Sequence, residues 1–260
     1  MKIAVCIKQV PTREWQPRLR EDKAWIREQD ASFELNEPDA FALEEALRLR
    51  EKHSGEVVAC AAGPARVQQV IREALARGAD RALHVDDEAL ASADASITSA
   101  ALASAMADEH FDLVLTGLQS DDQGHAQVGV MLAERLGVPH STIIMEVQIV
   151  PSSGPGQAAR LRVKRELEGG WFQWIGMPLP AVLTIQSGIN QLRYATLKGI
   201  MAAKKKEIRR VPLPPGLAAS QRILGLSLPA RSKQTKMLTG SAADIARELA
   251  RLLRDEARAL

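Results

Sequence analysis

The sequence predicts an α/β fold: a mostly parallel, doubly wound sheet followed by a C-terminal arm and helix. Two observations and one general rule predict it. From residue 3 to about residue 136, short apolar runs alternate with stretches of helical periodicity, the pattern of repeated βα units. Crossovers in such units are right-handed, so the strands lie parallel and helices cover both faces. Of 260 residues, 46% are hydrophobic but only 3% aromatic, which suits Ala-, Leu- and Val-rich helices on a sheet better than an aromatic-rich sandwich.

Taken in order, the apolar run at residues 3–8, closed by Pro11, reads as a buried central strand. Residues 12–35 are charged and irregular, with Trp15 and Trp25 isolated, and read as a loop or a short surface hairpin. Asn36-Glu37-Pro38-Asp39 marks a helix start. Asn caps free amides, Pro is tolerated in the first turn, and acidic groups favour the positive end of the dipole. That helix runs to about Lys52. Residues 55–62 form a second strand, turned by Gly63-Pro64 into a helix with Val67, Val70, Ile71, Ala74 and Leu75 on one face. Gly78 ends it. A strand at 82–85, an Ala-rich helix at about 93–107 and a strand at 111–116 follow. A glycine-rich loop at 117–129 then leads into a helix ending near Leu136.

After a turn at Ser152-Ser153-Gly154-Pro155-Gly156, residues 161–167 and 181–185 read as antiparallel strands extending one sheet edge. From Gln186 the periodicity lapses through Lys204-Lys205-Lys206, Arg209-Arg210 and three prolines, which reads as an arm. A last helix has Ile245, Leu249, Leu252 and Leu253 on one face, suited to packing on a partner. The chain thus divides at residue 185 into a domain, 1–185, and a segment with its arm, 186–260.

A net charge of +2 calls for neither nucleic acid nor an anionic membrane surface. The N-terminal apolar run is too short for a signal peptide, and none reaches membrane-spanning length, so a cytoplasmic protein without membrane insertion is expected. Cys6 and Cys60 sit in apolar strand-like runs and read as reduced core residues.

Ligands of such folds bind beyond the C-terminal ends of the strands. The loop at 117–129 reads equally as a phosphate cradle before a helix start and as an ordinary βα loop, since it has neither G-x-G-x-x-G nor a Walker lysine. Gly63-Pro64-Ala65 and residues 36–39 open onto the same edge. His84 and His125 stand alone, so no metal is assigned. Asp121-Asp122 reads as a solvated turn, and the basic cluster at 204–210 as a solvated arm. No G-x-S-x-G, Cys/His or S-x-x-K arrangement is present, and no catalytic residue is assigned.

Several motifs, in order, resemble those of electron transfer flavoprotein beta subunits. They are Cys6-Ile7-Lys8-Gln9-Val10; Asn36-Glu37-Pro38-Asp39 with Glu44-Glu45-Ala46-Leu47-Arg48-Leu49; Ala62-Gly63-Pro64-Ala65; and Gly78-Ala79-Asp80-Arg81-Ala82. Val163-Lys164-Arg165-Glu166-Leu167-Glu168-Gly169-Gly170 resembles the family hairpin, and Leu179-Pro180-Ala181-Val182-Leu183-Thr184 a family strand. Arg193-Tyr194-Ala195-Thr196-Leu197, then Ile200-Met201 and the lysine run, is the most distinctive match.

The resemblance implies an adenine-nucleotide-binding, Rossmann-like domain and an electron carrier subunit rather than an enzyme. It implies a heterodimer whose alpha subunit holds most of the FAD, while this chain binds a structural AMP. The nucleotide positions carry over to Cys6, Asn36, Glu37, Pro38, Asp39, Ala62 and Gly63. In the third loop they are Thr116, Gly117, Gln119, Asp122, Gly124, His125, Ala126, Gln127, Val128 and Gly129. Leu197, with Tyr194, Ile200 and Met201, matches the surface that docks flavin-dependent dehydrogenases.

Two departures stand out. Ser120-Asp121-Asp122-Gln123-Gly124-His125 replaces the family's usual run, and Trp171-Phe172-Gln173-Trp174 is unusually bulky. Ala126-Gln127-Val128-Gly129 is nearer the electron-bifurcating branch, whose beta subunit binds a second FAD, so AMP and FAD both stay open. The alternative is a stand-alone nucleotide sensor of universal-stress-protein type, which the segment at 193–206 disfavours. An ATP-pyrophosphatase-like enzyme would need an S-G-G-x-D-S loop after the first strand, where this chain has Lys8-Gln9-Val10-Pro11.

Overall fold

Residues 1–151, 159–229 and 235–259 are described by the structure, a computed structural model. The turn expected at 152–156 lies outside the described residues. Strand β1 (Lys2–Cys6) is followed by a two-stranded antiparallel ribbon of β2 (Gln9–Pro11) and β3 (Phe33–Leu35), which bounds the irregular excursion. Then come α1 (Glu37–His53), β4 (Glu56–Gly63), α2 (Gln68–Arg77), β5 (Arg81–Asp86), α3 (Ala95–Met106), β6 (Leu113–Gly117) and α4 (Val128–Leu136). The chain continues through β7 (His140–Val150), β8 (Arg160–Glu166), β9 (Phe172–Pro178), β10 (Ala181–Ile185), α5 (Leu197–Ala203), β11 (Ile208–Val211) and α6 (Ala242–Asp255).

Among the described residues the main sheet has nine strands in the order β11-β5-β4-β1-β6-β10-β7-β8-β9. Pairing is parallel from β11 to β7 and antiparallel from β7 to β9. The fold is therefore α/β with a mostly parallel sheet, as the alternation predicts. Side-chain alternation along each strand packs both faces of the sheet. Ile3, Val5, Val57, Leu113 and Leu183 pack with Leu43, Leu47, Ile71 and Leu75 of α1 and α2. Ala4, Cys6, Val58, Val114 and Val182 pack on the opposite face with Leu102, Met106 and Leu132 of α3 and α4.

Three expectations are corrected. Residues 181–185 are not an antiparallel edge strand: β10 lies between β6 and β7, parallel to both, and all five residues are buried. A strand covered on both faces is apolar throughout, and Thr184 in that run mimics the alternation of an exposed strand. The segment after Gln186 is not structureless, since it contains α5 and β11. The edge strand β11 hides from periodicity because Arg209 and Arg210 are exposed on it. Nor is the basic cluster wholly solvated: Lys206 Nζ donates to the carbonyls of Leu75 (3.0 Å) and Ala79 (2.6 Å), at and just beyond the end of α2.

The chain divides into compact units of Met1–Leu226 and Ser227–Leu260, so residues 186–226 belong with the first unit rather than with a separate arm. In the second unit, α6 bears Ile245, Leu249, Leu252 and Leu253 at helical spacing. Among the described residues no helix is long and apolar enough to cross a membrane.

Candidate functional site

Strand order reverses between β1 and β6: the chain runs outward from β1 through β4 to β5, then returns to the other side of β1. A cleft of about 1110 Å3, its open mouth included, lies at this switch point. Cys6 and Thr116 form its floor at the ends of β1 and β6, and Ala62 borders it from β4. Asn36 and Asp39 enter from the start of α1. Gly117, Gln119, Asp122, His125, Ala126, Gln127, Val128 and Gly129 supply the wall formed by the third loop and the start of α4.

Four of the carried-over positions do not line the cleft. Glu37 is exposed and pairs with Arg13. Pro38 is buried beneath Gly117. The Gly63 carbonyl faces His84 Nε2 at 3.0 Å, and Gly124 forms a turn through its amide to Ser120 O, 2.8 Å. Conversely, sequence reasoning missed Lys8, Gln9 and Arg66, the residues Trp25, Ile26, Glu28 and Phe33 of the excursion, and Ala95 and Thr98 at the start of α3. Trp25 and Phe33, apolar rings in a charged stretch, were the one signal available.

Hydrogen bonds explain how the loop is held. Asn36 precedes α1 but its side chain caps no helix amide. Instead it donates to Gln119 O (3.0 Å) and accepts from the Asp121 amide (2.9 Å), pinning the loop. Asp39, in the first turn of α1, accepts from the amides of Lys8 (2.8 Å) and Gly117 (2.9 Å), so one buried carboxylate ties the end of β1 to the end of β6. Lys8 Nζ reaches across to Asp122 Oδ1 (2.7 Å), Ser120 Oγ (3.2 Å) and Gln123 Oε1 (3.2 Å). On the opposite side, Arg66 lies 4.1 Å from the centre of the Phe33 ring and pairs with Glu28 at 3.1 Å.

The two glycines bounding the loop serve packing. A Cβ on Gly129 would stand 2.6 Å from Thr184 Cγ2 and 2.7 Å from Thr116 Oγ1, so glycine lets α4 seat on β6 and β10. A Cβ on Gly117 would stand 2.4 Å from Asp39 Oδ1. No side chain caps α4, whose first-turn amides therefore face the cleft unpaired by any helical carbonyl. Such a helix start accepts an anion, so the residues present fit a nucleotide phosphate.

Burial pushes the Asp39 carboxyl up to about 7, against the Lys8 amide, Asn36 and the Gly117 amide, which favour its ionised form. Burial, then Cys60 and Asp39, also raises the Cys6 thiol, leaving it unreactive. Between the ordinary 3.8 and about 7, the folded chain holds a proton on Asp39 that the unfolded chain has released. The contribution of Asp39 to stability therefore falls as pH rises through about 7. Asp39→Asn removes that dependence and leaves one of the two backbone amides without an acceptor. Melting temperatures from pH 5 to 8 should show the wild type losing stability relative to the variant as pH rises; a constant difference refutes the assignment.

The docking residues of the sequence reading lie on the segment leading into α5 and on α5 itself, not on the cleft. Tyr194 is 88% and Leu197 82% exposed, and Ile200 and Met201 are exposed beside them. Thr196 Oγ1 accepts the Gly199 amide at 3.0 Å and caps α5. Among the described residues no group of His, Cys, Asp or Glu is gathered to hold a metal ion.

The profile of the electron transfer flavoprotein domain matches residues 24–215. The electron transfer flavoprotein subunit beta of Methylophilus methylotrophus is 36% identical, over 98% of each chain. That of Thermoanaerobacterium thermosaccharolyticum is 38% identical over 87% of this chain and 84% of its own. That of Bacillus subtilis is 34% identical over 90% of this chain and 91% of its own. Together with the cleft at the β1/β6 switch point, these matches place the chain in the electron transfer flavoprotein family, among its beta subunits.

Proposed function

We propose that this chain is one half of a cytoplasmic heterodimer in which the alpha subunit holds the redox FAD, and that its own cleft binds an adenine nucleotide. The flavin supplies the electron chemistry when bound; this chain supplies a binding scaffold and a docking surface, and is not itself an enzyme. The observation that carries the reading is the uncapped start of α4 opening onto the switch-point cleft. Phosphate oxygens would accept from the backbone amides at 127–129, with Lys8 adding positive charge. Asn36 and Asp39 hold the loop and strand ends in place beneath the nucleotide.

AMP in a structural role would take the part of the cleft lined by Cys6 and residues 125–129. The cleft also extends past Lys8 to Trp25, Phe33 and Arg66, which leaves room for the larger FAD as the second reading. Denaturing the purified heterodimer and identifying the released nucleotides tests both. One AMP and one FAD per heterodimer support the structural role, and two FAD support a second flavin here. FAD alone at one per heterodimer sinks the nucleotide assignment. The stand-alone sensor is not favoured, because the family match spans residues 24–215.

For docking, the exposed Tyr194, Leu197, Ile200 and Met201 form the surface offered to flavin-dependent dehydrogenases. Large apolar side chains left in water on one short segment are the common mark of a protein-recognition site.

A further inference from the structure

The segment that presents Tyr194 and Leu197 has no ladder of its own. Residues 191–196 lie outside every helix and strand, so their backbone gains no rigidity from regular hydrogen bonding. What holds them is a set of side-chain contacts to α1. Asn190 Nδ2 donates to Phe41 O and to Glu45 Oε2, each at 3.1 Å. Arg193 does more. Its Nε and Nη2 grip the two oxygens of Glu44 at 2.8 and 2.9 Å, and its own amide donates to Glu44 Oε2 at 3.2 Å. Its Nη1 and Nη2 also reach the two oxygens of Glu51, at 2.6 and 3.2 Å.

Glu44 and Glu51 are seven residues apart, two turns along one face of α1, so a single planar guanidinium spans both. Glu44 is buried, and its carboxylate has no other hydrogen-bond partner among the described residues. Such a buried acid demands its cation, which makes the clamp specific to this place on the chain. Immediately after it, Tyr194 turns out to solvent, and Thr196 starts α5 with Leu197 in its first turn. Gly199 then passes so close to α2 that a Cβ would stand 2.3 Å from Ala76 O. The segment is thus fixed at both ends, and its exposed side chains sit between the fixed points.

We infer that Arg193 is the positioning residue of the docking surface: its clamp on Glu44 and Glu51 sets the conformation of residues 193–197 before a redox partner arrives. Ordering a free loop opposes association, and a loop ordered in advance escapes that cost. Arg193 is not among the residues that line the cleft, and it acts through Tyr194 and Leu197. The inference rests on the docking reading above.

The test uses the whole heterodimer carrying Arg193→Ala, Arg193→Lys, Leu197→Ala and the Arg193→Ala/Leu197→Ala pair. Electron uptake is measured from a flavin-dependent dehydrogenase that reduces the wild type, alongside amide hydrogen exchange over residues 190–200. Arg193→Ala is expected to raise the KM for the dehydrogenase by roughly tenfold, at unchanged kcat and nucleotide content, and to speed exchange in 190–200 alone. Arg193→Lys restores the charge but not the fork, and should recover only part of the KM. The pair should fall short of the product of the two single effects, because part of the arginine's effect runs through that leucine. Unchanged exchange in Arg193→Ala, or additive effects in the pair, overturns the positioning role. An unchanged KM in Leu197→Ala instead removes the docking reading and this role with it.

Discussion

Gly117→Ala is expected to lower the melting temperature by about 5–20 °C and to empty the nucleotide cleft of the purified heterodimer. The new methyl carbon would stand 2.4 Å from Asp39 Oδ1, 2.7 Å from Pro38 Cβ and 2.8 Å from the Asp39 amide nitrogen. Two of these three atoms are a ring carbon of Pro38 and the backbone nitrogen of Asp39 in the first turn of α1, and neither can swing away as the tip of a flexible side chain can. Relief comes only by parting β6 from α1. That breaks the bond from the Gly117 amide to Asp39 and strands a buried donor, a loss of about 1–3 kcal/mol on top of a similar overpacking cost. Gly176→Ala is the control, since no atom lies within 4 Å of a Cβ there. A Gly117→Ala protein that keeps wild-type melting and nucleotide content would show that the strand ends are not tied as described.

Leu197→Ala is expected to raise the KM for a donor dehydrogenase by roughly ten- to a hundredfold, with nucleotide content, flavin spectrum and heterodimer stability nearly unchanged. The side chain is 82% exposed in the first turn of α5, so truncating it leaves no cavity in this chain. Burial of one leucine in a partner pocket is worth about 1.5–3 kcal/mol, the source of the expected factor. If Leu197 serves only the subunit interface, the same substitution will loosen the heterodimer without a selective change in KM, and measuring the two side by side separates these outcomes.

Much of this chain is legible locally. The helix at residues 37–53 is announced by Asn36 and Pro38, and the helix at 68–77 by Val70, Ile71, Ala74 and Leu75 on one face. Most of the proposed nucleotide positions do gather at one cleft, because the ends of parallel strands and the helix starts that follow them share one edge of the sheet. Lys8 escaped notice because its role depends on Asp122, 114 residues away. Asn36 was read as a helix cap, and its side chain instead holds the loop at 119–121. Strands β7 and β9 were not anticipated: β9 bears Phe172 and Trp174 on an open face, where bulky exposed rings mask the alternation.

By itself, then, the sequence determined the class of fold, the order of βα units and the places where the helices of those units begin, since these follow from side-chain spacing over a few residues and from local backbone preference. The tertiary structure alone decided that β10 slips between β6 and β7, that Asp39 joins Lys8 to Gly117, and that Arg193 is clamped by α1. The physical reason is distance along the chain. Asp39 and Gly117 are 78 residues apart and Arg193 and Glu44 are 149 apart. Which distant groups meet is set by the path of the whole sheet and by the need of each buried carboxylate for a donor, neither of which any short window of sequence contains.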